Sequence, residues 1–473
     1  MRKSGILPFF VLLFLLWVEG LSAQPNTLYF MKGIAQTKDL NPSRPGIERG
    51  FYIGLPLFSK FDFSVNTNNW RYNDLIHRGS GALSDSLVWD FNKFLSSLDK
   101  NNFAMESAAV ALVDIGWKKG RQFYGFSWSE REFSEPVFTK SLVNLMYYGN
   151  APFIGSTYHS GYFGVRGAHY REFAFTFANE ISKKLSVGIT GKLLFGMAGI
   201  KTAGLNFVAG MPKSGDEIDL AAGGKAFISA PVDIRIVNDR GYKLYAKDYF
   251  DLSTYLTNFG NPGLAVDVGL SNKVSEQFEF SVSLIDLGFI SWKQNVTVLT
   301  ERAHFLFEGI HLNATTPTNH PPSSTDVKGL FLALRDTLRT TFLPIESNDD
   351  FKTLLPVKLY AAGEYQFNED FSLGGLLRVR MLNNLIHTSF TASANVRLTE
   401  KVAFSASYAV IESTFGNLGL GANFRIGKVQ LYAVTDNIVS FFRPSQACNA
   451  NLRLGINLIF QEEDRRRKGV YGR

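Results

Sequence analysis

Eight charged side chains stand where charge is unexpected. Glu172, Lys192, Glu279, Glu364, Arg378, Arg380, Arg397 and Arg425 all fall in segments whose alternate residues are largely Phe, Leu, Val or Ile. In such a segment a charge on the counterface points away from the apolar surface. Two chemistries fit them. Acids and bases on neighbouring strands can pair and hold a packed interior together. Alternatively, the set lines a polar path, where the planar fork of an arginine can take the carboxylate of an amphiphilic molecule. Sequence does not say which charges meet, so both readings stand. Bond-breaking chemistry finds no support: there is no GxSxG, no P-loop, no HExxH and no CxxC. The seven histidines are scattered, and none sits at paired metal spacing. His169 and His387 begin strands, the one place where a wall Ser–His pair could form. The chain reads as a non-enzyme with no catalytic residue, no metal site and no cofactor.

The elements that carry these charges alternate with period 2. Phe390, Ala392, Ala394, Val396 and Leu398 interleave with Thr391, Ser393, Asn395 and Arg397. Leu418, Leu420, Ala422, Phe424 and Ile426 interleave with Asn417, Gly419, Gly421, Asn423 and Arg425. A soluble sandwich would put a charged face in water. Here the counterface is mostly Gly, Ala, Ser, Thr and Asn, which suits the inside of a closed barrel whose other face meets lipid. One turn pattern recurs: Ile181-Ser182-Lys183-Lys184-Leu185, Val274-Ser275-Glu276-Gln277-Phe278, Phe367-Asn368-Glu369-Asp370-Phe371 and Leu398-Thr399-Glu400-Lys401-Val402. Placing all these turns on one rim gives about fourteen strands, an even number. Every long connection (67–102, 135–167, 197–261, 291–354) then falls on the other rim. Residues 225–237 have room for an extra pair. Helical spacing appears over Asp90–Lys100, Thr139–Tyr148 and Val327–Phe342. The fold class expected is all-β: a transmembrane antiparallel β-barrel with an N-terminal hatch or plug and long extracellular loops containing short helices.

Composition agrees. Of 473 residues only 19% are charged while 14% are aromatic, which excludes a disordered chain. A single cysteine excludes a disulfide scaffold. The net charge of +7 leans on Arg465, Arg466, Arg467 and Lys468, so it does not indicate nucleic acid. Arg2 and Lys3, an apolar run Ile6–Val18 and small residues up to Ala23 read as a signal peptide. The expected division is a signal peptide over 1–23, a hatch over 24–50 with a turn at Asn41 and Pro42, a barrel over 51–460, and a basic periplasmic tail over 461–473. Export then leads to the outer membrane of a Gram-negative bacterium. In the last strand, Gly455, Leu458 and Phe460 have the offsets of a terminal assembly signal, which makes barrel-assembly machinery and outer-membrane lipid the expected partners.

Tyr29-Phe30-Met31-Lys32-Gly33, followed by Asn41-Pro42-Ser43, resembles the start of FadL-type barrels. Those are long-chain fatty-acid and hydrocarbon transporters whose hatch bears Asn-Pro-Ala, so Ser43 is a departure. Together with Asp286–Trp292, Val434–Ile438 and Asn451-x-Arg453-x-Gly455-x-Asn457, the chain is similar to an uncharacterised FadL-related family from gliding-type Gram-negative bacteria that carry type IX secretion. The resemblance implies passive uptake of a hydrophobic or amphiphilic ligand. The alternative it implies is a structural or assembly barrel that partners secretion-system or gliding proteins.

Overall fold

Asn368 shows why the short turns form. Its side-chain oxygen accepts from the backbone N–H of Asp370 and Phe371 at 2.9 and 2.8 Å. Ser182, Ser275 and Thr399 cap their turns in the same way, at 3.0, 3.0 and 3.1 Å. A small polar side chain that satisfies the donors of the next residues lets a strand reverse in a few positions.

The computed structural model describes residues 26–81, 84–149, 151–213, 218–230, 232–236, 242–246, 252–307, 344–345, 349–382, 385–411 and 414–460. The expected signal peptide, the basic tail and the helix over 327–342 lie outside them. Its strands include β1 (Gly50–Gly54), β2 (Phe61–Thr67), β3 (Asn101–Lys119), β4 (Gln122–Thr139), β5 (Gly164–Glu180), β6 (Leu185–Gly210), β7 (Ile218–Ser229), β8 (Pro262–Lys273) and β9 (Phe278–Trp292). There follow β10 (Val296–Phe307), β11 (Phe351–Leu354), β12 (Val357–Gln366), β13 (Phe371–Leu382), β14 (Leu385–Thr399), β15 (Val402–Ile411), β16 (Thr414–Ile426), β17 (Val429–Thr435) and β18 (Asn449–Phe460). β1 and β2 share one wall position, as do β11 and β12. β7 and β10 stand above the wall. The remainder is a closed antiparallel barrel of 14 strands. It closes where Phe51 of β1 opposes Phe460 of β18 and Asp62 of β2 opposes Arg453.

The wall is a transmembrane one. Phe175, Leu193, Leu377, Phe390 and Leu420 point outward and are exposed, which is stable only against lipid. No helix among the described residues is long and apolar enough to cross a membrane; the strands cross. Some run further than the membrane requires. β3 has 19 residues and β6 has 26, against the ~9–11 of a tilted crossing. The end of β6 forms an extension in which β7 pairs with it and with β10. This is the region where the sequence had room for an extra pair. Residues 225–229 end β7 and join the extension, while Val232–Ile236 pairs with Tyr242–Ala246 in a separate two-stranded sheet; neither adds to the wall.

Two helices cap the long-loop rim. Asp90 caps α1 (Phe91–Ser97) by accepting from Lys93 N at 2.9 Å, and Thr139 caps α2 (Lys140–Tyr148) through Leu142 N at 3.1 Å. Phe94, Leu95 and Leu98 pack there with Trp70, Phe138 and Val143, forming a small apolar cap over the mouth.

Candidate functional site

Residues 26–50 thread the inside of the barrel, in the half nearer the short turns. Leu28, Tyr29, Phe30, Met31, Ile34 and Leu40 are buried against the inward-facing Ile285, Tyr360, Ala362, Leu376, Tyr432 and Val434. The small counterface of the strands is what admits them. A Cβ on Gly374 would lie 2.6 Å from the Phe30 ring, and one on Gly421 would lie 2.3 Å from Met31 Sδ. Pro42 sits so close to Gly188 that a Cβ there would be 2.3 Å from its carbonyl carbon. Asn41 builds the turn. Its Oδ1 accepts from Ser43 N and Oγ at 3.0 and 2.7 Å, and its Nδ2 donates to the Tyr29 hydroxyl at 3.0 Å.

The segment is tied at both ends. At its head, the Asp436 carboxylate accepts from the backbone N–H of Asn26 and Thr27, each at 2.7 Å, from the Thr27 hydroxyl, and from Asn451 Nδ2 at 2.9 Å. Further along, buried Lys38 pairs with Asp114 at 3.1 Å and Asp39 at 3.0 Å, and Lys60 of the wall reaches Asp39 at 2.7 Å. Burial alone would push the Lys38 ammonium down, but Asp114 and Asp39 hold it well above its ordinary value. Burial alone would raise Asp39, but Lys38 and Lys60 hold it far below the usual carboxylate range. Arg44 donates to Glu364 at 2.9 Å and lies 3.4 Å from Glu279, while Lys32 pairs with Glu364 at 2.9 Å.

Beside this plug runs a buried girdle of charge. Lys192 sits 2.7 Å from Asp267, 2.5 Å from Asp286 and 3.8 Å from Glu172. Lys358 meets Asp286 at 2.6 Å, and Arg131 meets Glu172 at 2.9 Å. The six groups come from β4, β5, β6, β8, β9 and β12, neighbours around one side of the wall. Three cations answer three carboxylates, as burial demands. Asp286 adopts a positive φ of 62° at a bulge, and its N–H donates to Asp267 at 2.7 Å. That left-handed backbone swings its carboxylate between the two lysines.

Next to the girdle, toward the long loops, lies an apolar layer. Phe133, Tyr170, Leu194, Ile290, Trp292, Phe351 and Leu355 converge inside the wall. Trp292 is fully buried, its ring laid on Gly196 and Gly199 and its Nε1 donating to Thr353 at 3.0 Å.

The charged residues singled out by sequence scatter among these features. Glu172 and Lys192 belong to the girdle, and Glu279 and Glu364 hold the plug. Arg378 is buried with its guanidinium 5.7 Å from the Tyr360 ring centre, and its Nε and Nη1 lack hydrogen-bond partners among the described residues. Arg380 lies higher, 3.7 Å from Glu135, which also meets His387 at 3.1 Å. Arg397 and Arg425 stand at the short-turn rim, where Arg397 is half exposed beside Asp370 and Arg425 leans on Gly427 O. Neither reaches the deep lumen. The sequence pattern does not mark Arg131, Asp267 or Lys358 as site residues, and it places Asp286 and Asp436 only within stretches that carry the resemblance. Asp286 and Asp436 did carry a signal: each is an aspartate set in a run of apolar or neutral residues. Among the described residues no group of three His, Cys, Asp or Glu side chains is placed to hold a metal.

No curated protein matches the chain. Among solved structures it is similar to the Ralstonia pickettii toluene transporter TbuX, at 10% identity over 93% of this chain and 95% of that one, with a TM-score of 0.38. It is similar to the P. putida toluene transporter TodX at 10% identity, over 89% and 93%, with a TM-score of 0.39. A Pseudomonas aeruginosa FadL homologue aligns at 10% identity over 93% and 96%, with a TM-score of 0.36. The chemistry of the site therefore rests on its own geometry. A family model covers residues 45–436, from the end of the plug through most of the wall: the chain belongs to the family of unknown function DUF5723.

Proposed function

We propose that this barrel sits in the outer membrane of a Gram-negative bacterium and lets hydrophobic or amphiphilic small molecules enter passively, gated by its plug. The observation that carries this reading is the apolar layer of Phe133, Leu194, Ile290, Trp292 and Phe351 inside a plugged lumen. A general porin keeps a water-filled polar bore. This interior instead holds a packed apolar layer on the long-loop side and a plug below it. A greasy solute that inserts between those side chains loses little on leaving lipid. Arg378, whose Nε and Nη1 have no partner among the described residues, can receive an anionic head where the solute has one. Ions and sugars meet the plug and stop.

The test is uptake by proteoliposomes of a neutral hydrophobic dye and of a hydrophilic sugar. The protein should speed the dye and not the sugar, and Leu194→Asp in the apolar layer should slow the dye. If the assembled barrel moves neither, uptake is excluded. The competing reading, a scaffold for a secretion or gliding apparatus, then stands.

A further inference from the structure

A cavity of about 320 Å³ opens at the short-turn rim, between the last turn of the plug and the inner wall. That volume is at the lower end of small-molecule sites, roughly 300–1,000 Å³. Its floor is apolar: Ile47 of the plug packs with Phe123 and Ala178 of the wall. Its charge is biased. Five cations line it against three carboxylates, Glu48, Glu180 and Glu279. Lys118 is bound to Glu180, Arg44 lies between Glu279 and Glu364, and Lys32 pairs with Glu364. Arg121 and Lys273 remain. They flank the opening from the β3–β4 turn and from the end of β8, and neither side chain has an ion-pair or hydrogen-bond partner among the described residues.

The plug is shaped to leave this space. Gly46 has a positive φ of 66°, and a Cβ there would strike Ile34 O at 1.9 Å. Only glycine makes that bend, and the bend turns Ile47 back toward Phe123.

We infer that this cavity binds an organic monoanion with a short apolar tail, such as a medium-chain carboxylate, on the exit side of the plug. The head would lie between Arg121 and Lys273 and within reach of Arg44, and the tail on Ile47, Phe123 and Ala178. The inference rests on the uptake reading for its place in the route: a solute that has passed the plug meets a second site before water. The binding chemistry itself is independent of that reading.

The test uses full-length protein in detergent, with octanoate as probe and octanol as its uncharged counterpart, followed by calorimetry. Octanoate should bind saturably, and octanol weaker by roughly tenfold or more. The double variant Arg121→Glu with Lys273→Glu changes two exposed rim residues, and its folding is checked by heat-modifiable migration. It should weaken octanoate by roughly tenfold or more, while Lys401→Glu, on a different short turn and away from the cavity, leaves octanoate binding in place. Equal affinity for octanoate and octanol, or an unaffected double variant, overturns the site. Neutral-dye uptake is measured on the same preparations. Loss of octanoate binding with dye uptake intact defeats this inference alone. Dye uptake absent from the unaltered protein, with octanoate binding intact, defeats the uptake reading alone.

Discussion

Lys192 separates two carboxylates that could not otherwise share one buried space. Lys192→Met leaves Asp267 and Asp286 facing each other without a cation between them, and should cost roughly 3–5 kcal/mol. The measurement is denaturant unfolding in detergent, read on the heat-modifiable band. Adding Asp267→Asn to that variant removes one of the stranded charges and should recover part of the loss. The plug carries its own ionic anchor, and its pH response has a definite sign. Lys38 is raised in the folded state, so its contribution is complete below its unfolded value and lost as pH rises through the folded one. Asp39 is lowered, so its contribution is complete above the ordinary carboxylate value and lost as pH falls through its folded one. Both losses lie at extremes. Single-channel recordings should show a closed plug unchanged between about pH 6 and 9, with openings appearing only in strong acid or strong alkali. Openings that begin at neutral pH would mean that this anchor does not hold the plug.

At the scale of strands and turns, alternation was the readable quantity, because one face of each strand meets lipid and the other does not. Phe390 through Leu398 shows it, and so do the short turns, whose Ser, Thr or Asn must cap its own N–H groups. Phe175→Arg on the lipid face should cost roughly 2–4 kcal/mol near mid-bilayer, again read from unfolding in detergent. Ser405 points inward, but it is no free position. It donates to Asn395 at 2.7 Å and opposes Gly421, the seat of Met31. Ser405→Arg would therefore collide with the plug, where an empty lumen would have tolerated it. What alternation could not convey was strand length above the membrane. β3 and β6 continue into water, where no lipid enforces a pattern. Nor could it convey phase across a bulge. Ile285 and Asp286 break register opposite Asp267, and only the paired strands reveal that two aspartates converge there. Gly46→Ala is the sharpest test of the plug as an element. It should leave the unfolding midpoint of the barrel within about 1 kcal/mol while raising ion conductance, because the bend against Ile34 cannot form.

For the molecule as a whole, the closed wall followed from residue pattern, whereas the girdle depended on contacts between residues far apart in the chain. Lys192 and Lys358 reach one carboxylate because the sheet curls through four neighbouring strands, β6, β8, β9 and β12, and no local window contains that fact. Deleting 26–46 should yield an assembled barrel with larger single-channel conductance. A barrel that fails to migrate as a folded band would show instead that the plug is part of the core. The tie at Asp436 also has a meaning in time. Asn26 is bonded to a residue 410 positions later in the chain, and Gln36 to Asn457 across 421. Loop closure over such separations is slow, and nothing rewards it until the last strands exist. The plug, made before every strand of the wall, therefore docks last, after β17 and β18 have joined the wall. A nascent barrel thus passes through an unplugged stage, during which it is leaky and its Gly-lined seats are empty.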